Sequence, residues 1–191
     1  KAVIGRDDAE EAAAFERREE NARRENPAAF RAAIAKSAEA LVASGFSERD
    51  EELPLAVAAY RLHDLILEQA PDRMARLGAP LSGGKGGREL RPGDLVFFGD
   101  ANAKGRDAGV PRRAGVWLGG GRFAAEAPNA RKTAALKFDG GRGARANGGM
   151  GVFLWAVRPE VSELANPCLL SVRSNPFHQA PPAGLARCRL R

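Results

Sequence analysis

Cysteine, histidine and tyrosine are scarce in this chain of 191 residues, which holds two Cys, two His and one Tyr. Two cysteines exclude a disulfide-rich mini-protein, and the Cys and His residues stand too far apart for a zinc site. No apolar run approaches the roughly 20 residues of a membrane-spanning helix. A chain of this length buries enough surface to fold without such supports. The sequence therefore predicts an ordinary globular domain with no metal and no cofactor.

Charge and glycine are distributed unevenly along the chain. The net charge of +6 divides into −4 over residues 1–79 and +10 over residues 80–191, and 19 of the 22 glycines lie in the second part. A basic half raises the hypothesis of a nucleic-acid-binding module. Aromatic residues are not interleaved with the arginines as they are in single-strand binders. Nucleic acid is therefore disfavoured as a partner, and a solvated basic surface is the preferred interpretation.

Three helices are predicted in residues 1–79. The first covers about 7–25, a stretch dense in Ala, Glu and Arg. The second covers 27–44 and follows Asn26-Pro27, in which Asn caps a helix and Pro suits its first position. The third covers 53–69, where apolar residues lie nearly all the way round a helix, and this predicts a buried central helix.

Residues 80–160 predict a β-sheet, because apolar residues there follow the period of strands. The stretch 127–150 is rich in Gly and Arg and predicts a long loop, and residues 161–191 form a Pro-rich tail. Three glycines join two of the strands as a hairpin. The predicted strands are 94–98, 114–118, 122–125 and 151–157.

Two motifs stand in order within this region. Pro92-Gly93-Asp94 opens the strand Leu-Val-Phe-Phe, and Gly115-Val116-Trp117-Leu118-Gly119 leads through a glycine turn into a second strand. Over residues 89–126 this pattern resembles the NlpC-type cell-wall hydrolases, papain-like cysteine peptidases and amidases that cut peptidoglycan peptides. The resemblance implies an α+β fold in which a helical N-terminal half packs on a small antiparallel sheet or partial barrel. It also implies a periplasmic or extracellular location.

The positions that match the family's catalytic residues hold other residue types. The resemblance puts the nucleophilic Cys near residues 53–56, which read Leu-Pro-Leu-Ala, and puts the general base at Arg113. An arginine with a pKa above about 12 is no base at neutral pH. The third polar group falls on Ala124 or Ala125. We therefore predict a non-catalytic relative that binds a peptidoglycan fragment or an envelope protein. The predicted binding groove is flanked by Arg113, Trp117 and Glu126.

Cys168 and His178 supply an alternative, an active cell-wall peptidase or amidase that uses this pair. Both lie in the Pro-rich tail, where no predicted helix lowers the pKa of the thiol. Cys168 could instead bond to Cys188 in an oxidising compartment, and two cysteines do not decide which compartment applies. His63 is interpreted as a hydrogen-bonded structural residue, because Asp64 beside it on a helix points about 100° away.

Overall fold

Helices precede a single antiparallel sheet in this protein. The computed structural model describes residues 26–47, 51–63, 65–82, 87–107, 109–128, 132–140 and 146–159. The predicted helix 7–25 and the predicted tail 161–191 lie outside the described residues. Within the described ranges, the order of helices and strands confirms the α+β class that the sequence predicts.

The helices form a layer on one face of the sheet. The first begins where the Asn-Pro signal predicts it, and the Asn26 side chain accepts a hydrogen bond from the Ala29 N–H at 3.0 Å. This bond satisfies one of the amides that a helix start leaves free. A short 3-10 turn covers Gly105–Asp107. The α-helices are α1 (Pro27–Ala43), α2 (Leu55–Arg61) and α3 (Pro71–Met74).

α2 is much shorter than the helix predicted over 53–69, so that prediction is wrong beyond its first half. Leu65 and Leu67 are buried, whereas Ile66 between them is 41% exposed. A burial period of two belongs to an extended segment, not to a helix. The apolar residues that suggested one long buried helix therefore come from a short helix and the extended chain that follows it.

Six strands form one sheet in the order β1-β6-β2-β3-β4-β5, and all neighbouring strands are antiparallel. β5 lies inside the stretch 127–150, so the prediction of a continuous loop is wrong there. Its sequence, Lys-Thr-Ala-Ala-Leu-Lys, has a weak strand signal because alanine and lysine are depleted in strands. Pairing with β4 over six residues supplies the order. The strands are β1 (Pro80–Leu81), β2 (Leu95–Gly99), β3 (Arg113–Gly119), β4 (Arg122–Ala127), β5 (Lys132–Lys137) and β6 (Val152–Val157).

Apolar side chains cover both faces of the sheet, since neighbouring residues of a strand point to opposite faces. One cluster joins the sheet to the helices, and a second lies on the other face under the connecting loops. The largest members of the helix-side cluster are Tyr60, Phe97, Ile34, Leu55, Leu65, Met74 and Leu95. The largest members of the loop-side cluster are Trp117, Phe98, Phe123 and Met150.

Candidate binding groove

A cavity of about 370 Å³ lies at the end of the sheet where β3 begins and β4 ends, and we call it the groove. Its volume is within the range of small-molecule sites. Segments far apart in sequence meet in it: the start of α2, the chain around α3, the strands β3 and β4, and the turn that precedes β6. The described lining residues are Pro54, Gln69, Pro71, Met74, Arg112, Arg113, Ala114, Glu126, Pro128 and Met150.

The start of α2 forms one wall of the groove through Pro54, the residue that precedes the helix. Proline has no backbone N–H, and its fixed φ suits a helix start. Residues Leu55–Tyr60 are all buried, which anchors the helix on the sheet. The helix start is therefore held firmly against the groove by packing.

Arg113 is the first residue of β3 and is partly buried. Its Nη1 donates a hydrogen bond to the carbonyl oxygen of Met150 at 3.0 Å. This hydrogen bond fixes the side chain and uses one of the five N–H donors that a planar guanidinium carries. The remaining donors make no hydrogen bond within the described part of the chain. Arg113 thus brings a fixed, permanently positive group to the groove wall.

Met150 is held in place by a turn centred on Asn147, which is fully buried and adopts φ 52° and ψ 43°. The Asn147 side-chain oxygen accepts hydrogen bonds from the amides of Asp139 and Gly140, both at 3.2 Å. Its side-chain nitrogen donates to the Gly151 carbonyl oxygen at 2.9 Å. Asn tolerates the left-handed conformation better than most residues. Asn147 therefore positions the carbonyl that holds Arg113, a role that the sequence analysis missed.

Glu126 lies on β4, opposite Thr133 of β5, and is partly buried at the groove. The Thr133 hydroxyl donates a hydrogen bond to the Phe46 carbonyl oxygen at 2.6 Å. It is therefore not available as a donor to Glu126. Within the described residues the Glu126 carboxylate has no hydrogen bond and no ion pair. The groove consequently presents one fixed guanidinium and one unpaired carboxylate.

Arg112 also lines the groove but is already paired. Its Nη2 lies 3.1 Å from Oδ1 of Asp107, and both side chains are more than half exposed. Such a solvated pair contributes little to stability. Arg113 and Glu126 are therefore the two groove charges that lack an ionic partner within the described residues.

Two of the three positions that the resemblance assigns to catalytic residues line this groove. The predicted nucleophile position includes Pro54, and the predicted base position is Arg113; both line the cavity. Ala124 and Ala125, the predicted third position, are fully buried and carry no polar atom on their side chains. Among the described lining residues, none carries a thiol, hydroxyl or imidazole. These lining residues supply charge and shape but no nucleophile for acyl transfer.

Trp117 lies away from the groove, in contrast to its predicted place beside Arg113. It is 2% exposed and packs edge-to-face on Phe138 with ring centroids 5.4 Å apart. Its backbone N–H donates to the Asp94 carbonyl oxygen at 2.8 Å, at the opposite end of the sheet. Four residues along a strand separate it from Arg113, a distance of roughly 13 Å. Trp117 is thus a core residue on the loop-side face.

The remaining candidate residues are separate from the groove or lie outside the described residues. His63 forms a 2.9 Å hydrogen bond between its Nε2 and the Ser37 hydroxyl, and Phe30 packs against its ring. This agrees with the structural interpretation of His63. Cys168, His178 and Cys188 lie outside the described residues, as does Asp64. Within the described ranges no cluster of three His, Cys, Asp or Glu side chains is arranged for a metal ion.

The fold and the groove thus define an α+β protein whose sheet carries a cavity where β3 begins and β4 ends. No family model matches the chain, and no curated protein matches it. Solved structures similar to it are NlpC/P60 proteins, the family that the sequence resembles. No described helix is both long and apolar enough to cross a membrane.

Three of these structures show the extent of the likeness. An NlpC/P60 family protein from Bacillus cereus is 17% identical over 56% of this chain and 30% of its own, with a TM-score of 0.41. The P60 domain of an antigen from M. avium subspecies paratuberculosis is 16% identical over 55% and 61%, with a TM-score of 0.39. NlpC1 from Trichomonas vaginalis is 13% identical over 66% and 44%, with a TM-score of 0.44. The chain thus spans less than two thirds of each of these proteins.

Proposed function

We propose that this chain is a non-catalytic NlpC-like protein of the bacterial envelope, periplasmic or extracellular, which binds peptidoglycan peptides or a protein partner in the groove. The observation that carries the proposal is that the groove holds a proline and an arginine at the positions which the resemblance assigns to the nucleophile and the general base. The start of α2 and the first residue of β3 meet at the cavity, yet they contribute Pro54 and Arg113. A papain-like reaction needs a thiolate and an imidazole at those positions.

The charges of the groove suit a peptide with a free carboxylate. Arginine binds carboxylates through two parallel hydrogen bonds, and Arg113 is already oriented by its bond to the Met150 carbonyl oxygen. Prior fixation reduces the entropy lost when a ligand binds. Glu126 offers an acceptor for an ammonium group on the same ligand. A short peptide that carries both groups therefore matches the charges of the groove.

Isothermal titration calorimetry of the full chain with soluble muropeptides tests this proposal. Arg113→Gln removes the guanidinium and is expected to weaken binding about tenfold or more, the value of a charge-assisted hydrogen bond. Glu126→Gln is expected to weaken binding of muropeptides with a free amine and to spare those whose amine is acetylated. The matched control is Arg106→Gln, since Arg106 is an exposed arginine that does not line the groove. Unchanged affinity in Arg113→Gln would remove the groove from consideration.

Two further outcomes would overturn the proposal in different ways. Hydrolysis of peptidoglycan that disappears in Cys168→Ala would establish an enzyme that uses the tail cysteine. Binding to nucleic acid with a steep loss of affinity at higher salt would indicate the basic-module alternative.

A further inference from the structure

A second concentration of charge lies at the other end of the sheet, where β2 begins and β6 ends. Asp94 is fully buried there. Arg158 binds it with both arms of a guanidinium: Nε lies 2.9 Å from Oδ1, and Nη2 lies 2.8 Å from Oδ2. The backbone N–H of Arg91 also donates to Oδ2 at 2.8 Å. One arginine side chain and one amide thus occupy both oxygens of this carboxylate.

Arg31 reaches the same place from α1. The backbone of Gly93, the residue before Asp94, runs so close to α1 that a Cβ on it would clash with the Arg31 carbonyl oxygen. The Tyr60 hydroxyl donates to the Gly93 carbonyl oxygen at 2.6 Å and adds a second tie between the helices and this loop. Burial lowers the pKa of Arg31, and the charges of Arg158 and Arg91 lower it further, against an opposing effect of Asp94.

Positive charge in this cluster exceeds the negative charge that faces it. Nε of Arg31 is buried and has no hydrogen-bond partner. Within the described residues the guanidinium groups of Arg31 and Arg91 make no hydrogen bond and no ion pair. The nearby Glu89 carboxylate already accepts a hydrogen bond from the Ser82 hydroxyl at 2.7 Å. Arg158 thus saturates the Asp94 carboxylate, while Arg31 and Arg91 add further positive charge near it. An unpaired buried donor is costly to maintain.

We propose that Arg31, Arg91 and Arg158, the arginine cluster, form a binding site for a phosphate group. A tetrahedral oxyanion offers several acceptors to more than one planar guanidinium, which matches two arginines with free donors. Asp94 keeps Arg158 in place, so the site is partly organised before the anion arrives. The site lies at the opposite end of the sheet from the groove. The proposal of a phosphate site therefore does not depend on the proposal of peptide binding.

Thermal unfolding of the full chain across a phosphate titration at constant ionic strength tests the site. A ligand that binds the folded state raises the midpoint with concentration in a saturating manner. We expect inorganic phosphate and glycerol phosphate to raise it, and acetate at equal ionic strength to leave it unchanged. A response to inorganic phosphate alone would identify the free ion as ligand, and a larger response to glycerol phosphate would identify a phosphomonoester.

Two variants locate the response in the arginine cluster. Arg31→Gln and Arg91→Gln are each expected to weaken apparent phosphate affinity about fivefold or more, the effect of one lost charge-assisted contact. Arg91 is exposed, so its variant keeps the fold if Arg31→Gln does not. Arg106→Gln, at an exposed arginine in the loop between β2 and β3 at the other end of the sheet, is the control and should behave as the parent chain. An equal phosphate response in all variants, no response in the parent, or an equal response to acetate would overturn the proposal.

Discussion

The two ends of the sheet use the same kinds of charged side chain in opposite ways. At one end Asp94 is fully buried and is bound by both arms of Arg158. At the other end Arg113 and Glu126 line one cavity, and Arg113 is held by a backbone carbonyl. A carboxylate that is saturated by an arginine serves the fold. Charges that are oriented but not paired with each other remain available to a ligand.

The largest effect is expected from Arg158→Met, which leaves Asp94 buried with no cation bound to it. Removing one partner of a buried ion pair destabilises a protein by about 3–5 kcal/mol, because the other charge stays uncompensated. Chemical denaturation of the variant measures this loss. The matched control is Arg112→Met, since the pair that Arg112 forms with Asp107 is more than half exposed on both sides. That control should cost less than about 1 kcal/mol. Similar costs for both variants would contradict the contrast between the two ends.

A smaller effect on stability, joined to an effect on binding, is expected from Asn147→Gly at the groove end. Glycine keeps the left-handed backbone but loses three side-chain hydrogen bonds. We expect the free energy of unfolding to fall by about 2 kcal/mol. We also expect weaker muropeptide binding, because the Met150 carbonyl oxygen no longer holds Arg113. Asn102→Gly, at an exposed turn, is the control for the backbone change. Loss of stability with unchanged binding would show that the turn does not position the groove.

The sequence predicts the parts of the fold that depend on neighbouring residues. The start of α1 follows from Asn26-Pro27, and the β3–β4 hairpin follows from its three glycines. The length of α2 does not follow, because the burial of Leu65 and Leu67 depends on the sheet they pack against. β5 is missed for the same reason, since its order comes from pairing with β4.

The residues of the groove, like the elements of the fold, are predicted from the sequence only in part. The resemblance predicts Arg113 and Glu126 beside one groove, and both line the cavity, because residues near the start of one strand and the end of the next lie together in a hairpin. Trp117 is misplaced because its spacing along β3 carries it to the other end of the sheet. Asn147 is missed, although the Asn-Gly-Gly run from 147 to 149 is a signal for a left-handed turn. Asn147 affects the groove only through Met150, and the sequence does not show that Met150 lies against Arg113.

The smallest effect concerns Tyr60, the chain's one tyrosine, at the Asp94 end of the sheet. Burial, and then the nearby charge of Asp94, raise the pKa of Tyr60 far above its ordinary value near 10. A raised pKa in the folded state means that this contribution to stability is complete below about pH 10 and is lost as the pH rises beyond it. Tyr60→Phe should therefore cost about 1 kcal/mol at neutral pH, through the lost bond to Gly93, and should flatten the alkaline decline.

Ultraviolet absorbance of tyrosinate reports on this single side chain without interference from other tyrosines. In the folded protein the signal should stay absent above pH 10 and appear together with unfolding, as followed by circular dichroism. Tyrosinate that forms while the fold is intact would show that the Asp94 end is open to water. That result would also count against the phosphate site at the arginine cluster. Solvent would then satisfy the buried Nε of Arg31, on which that proposal depends.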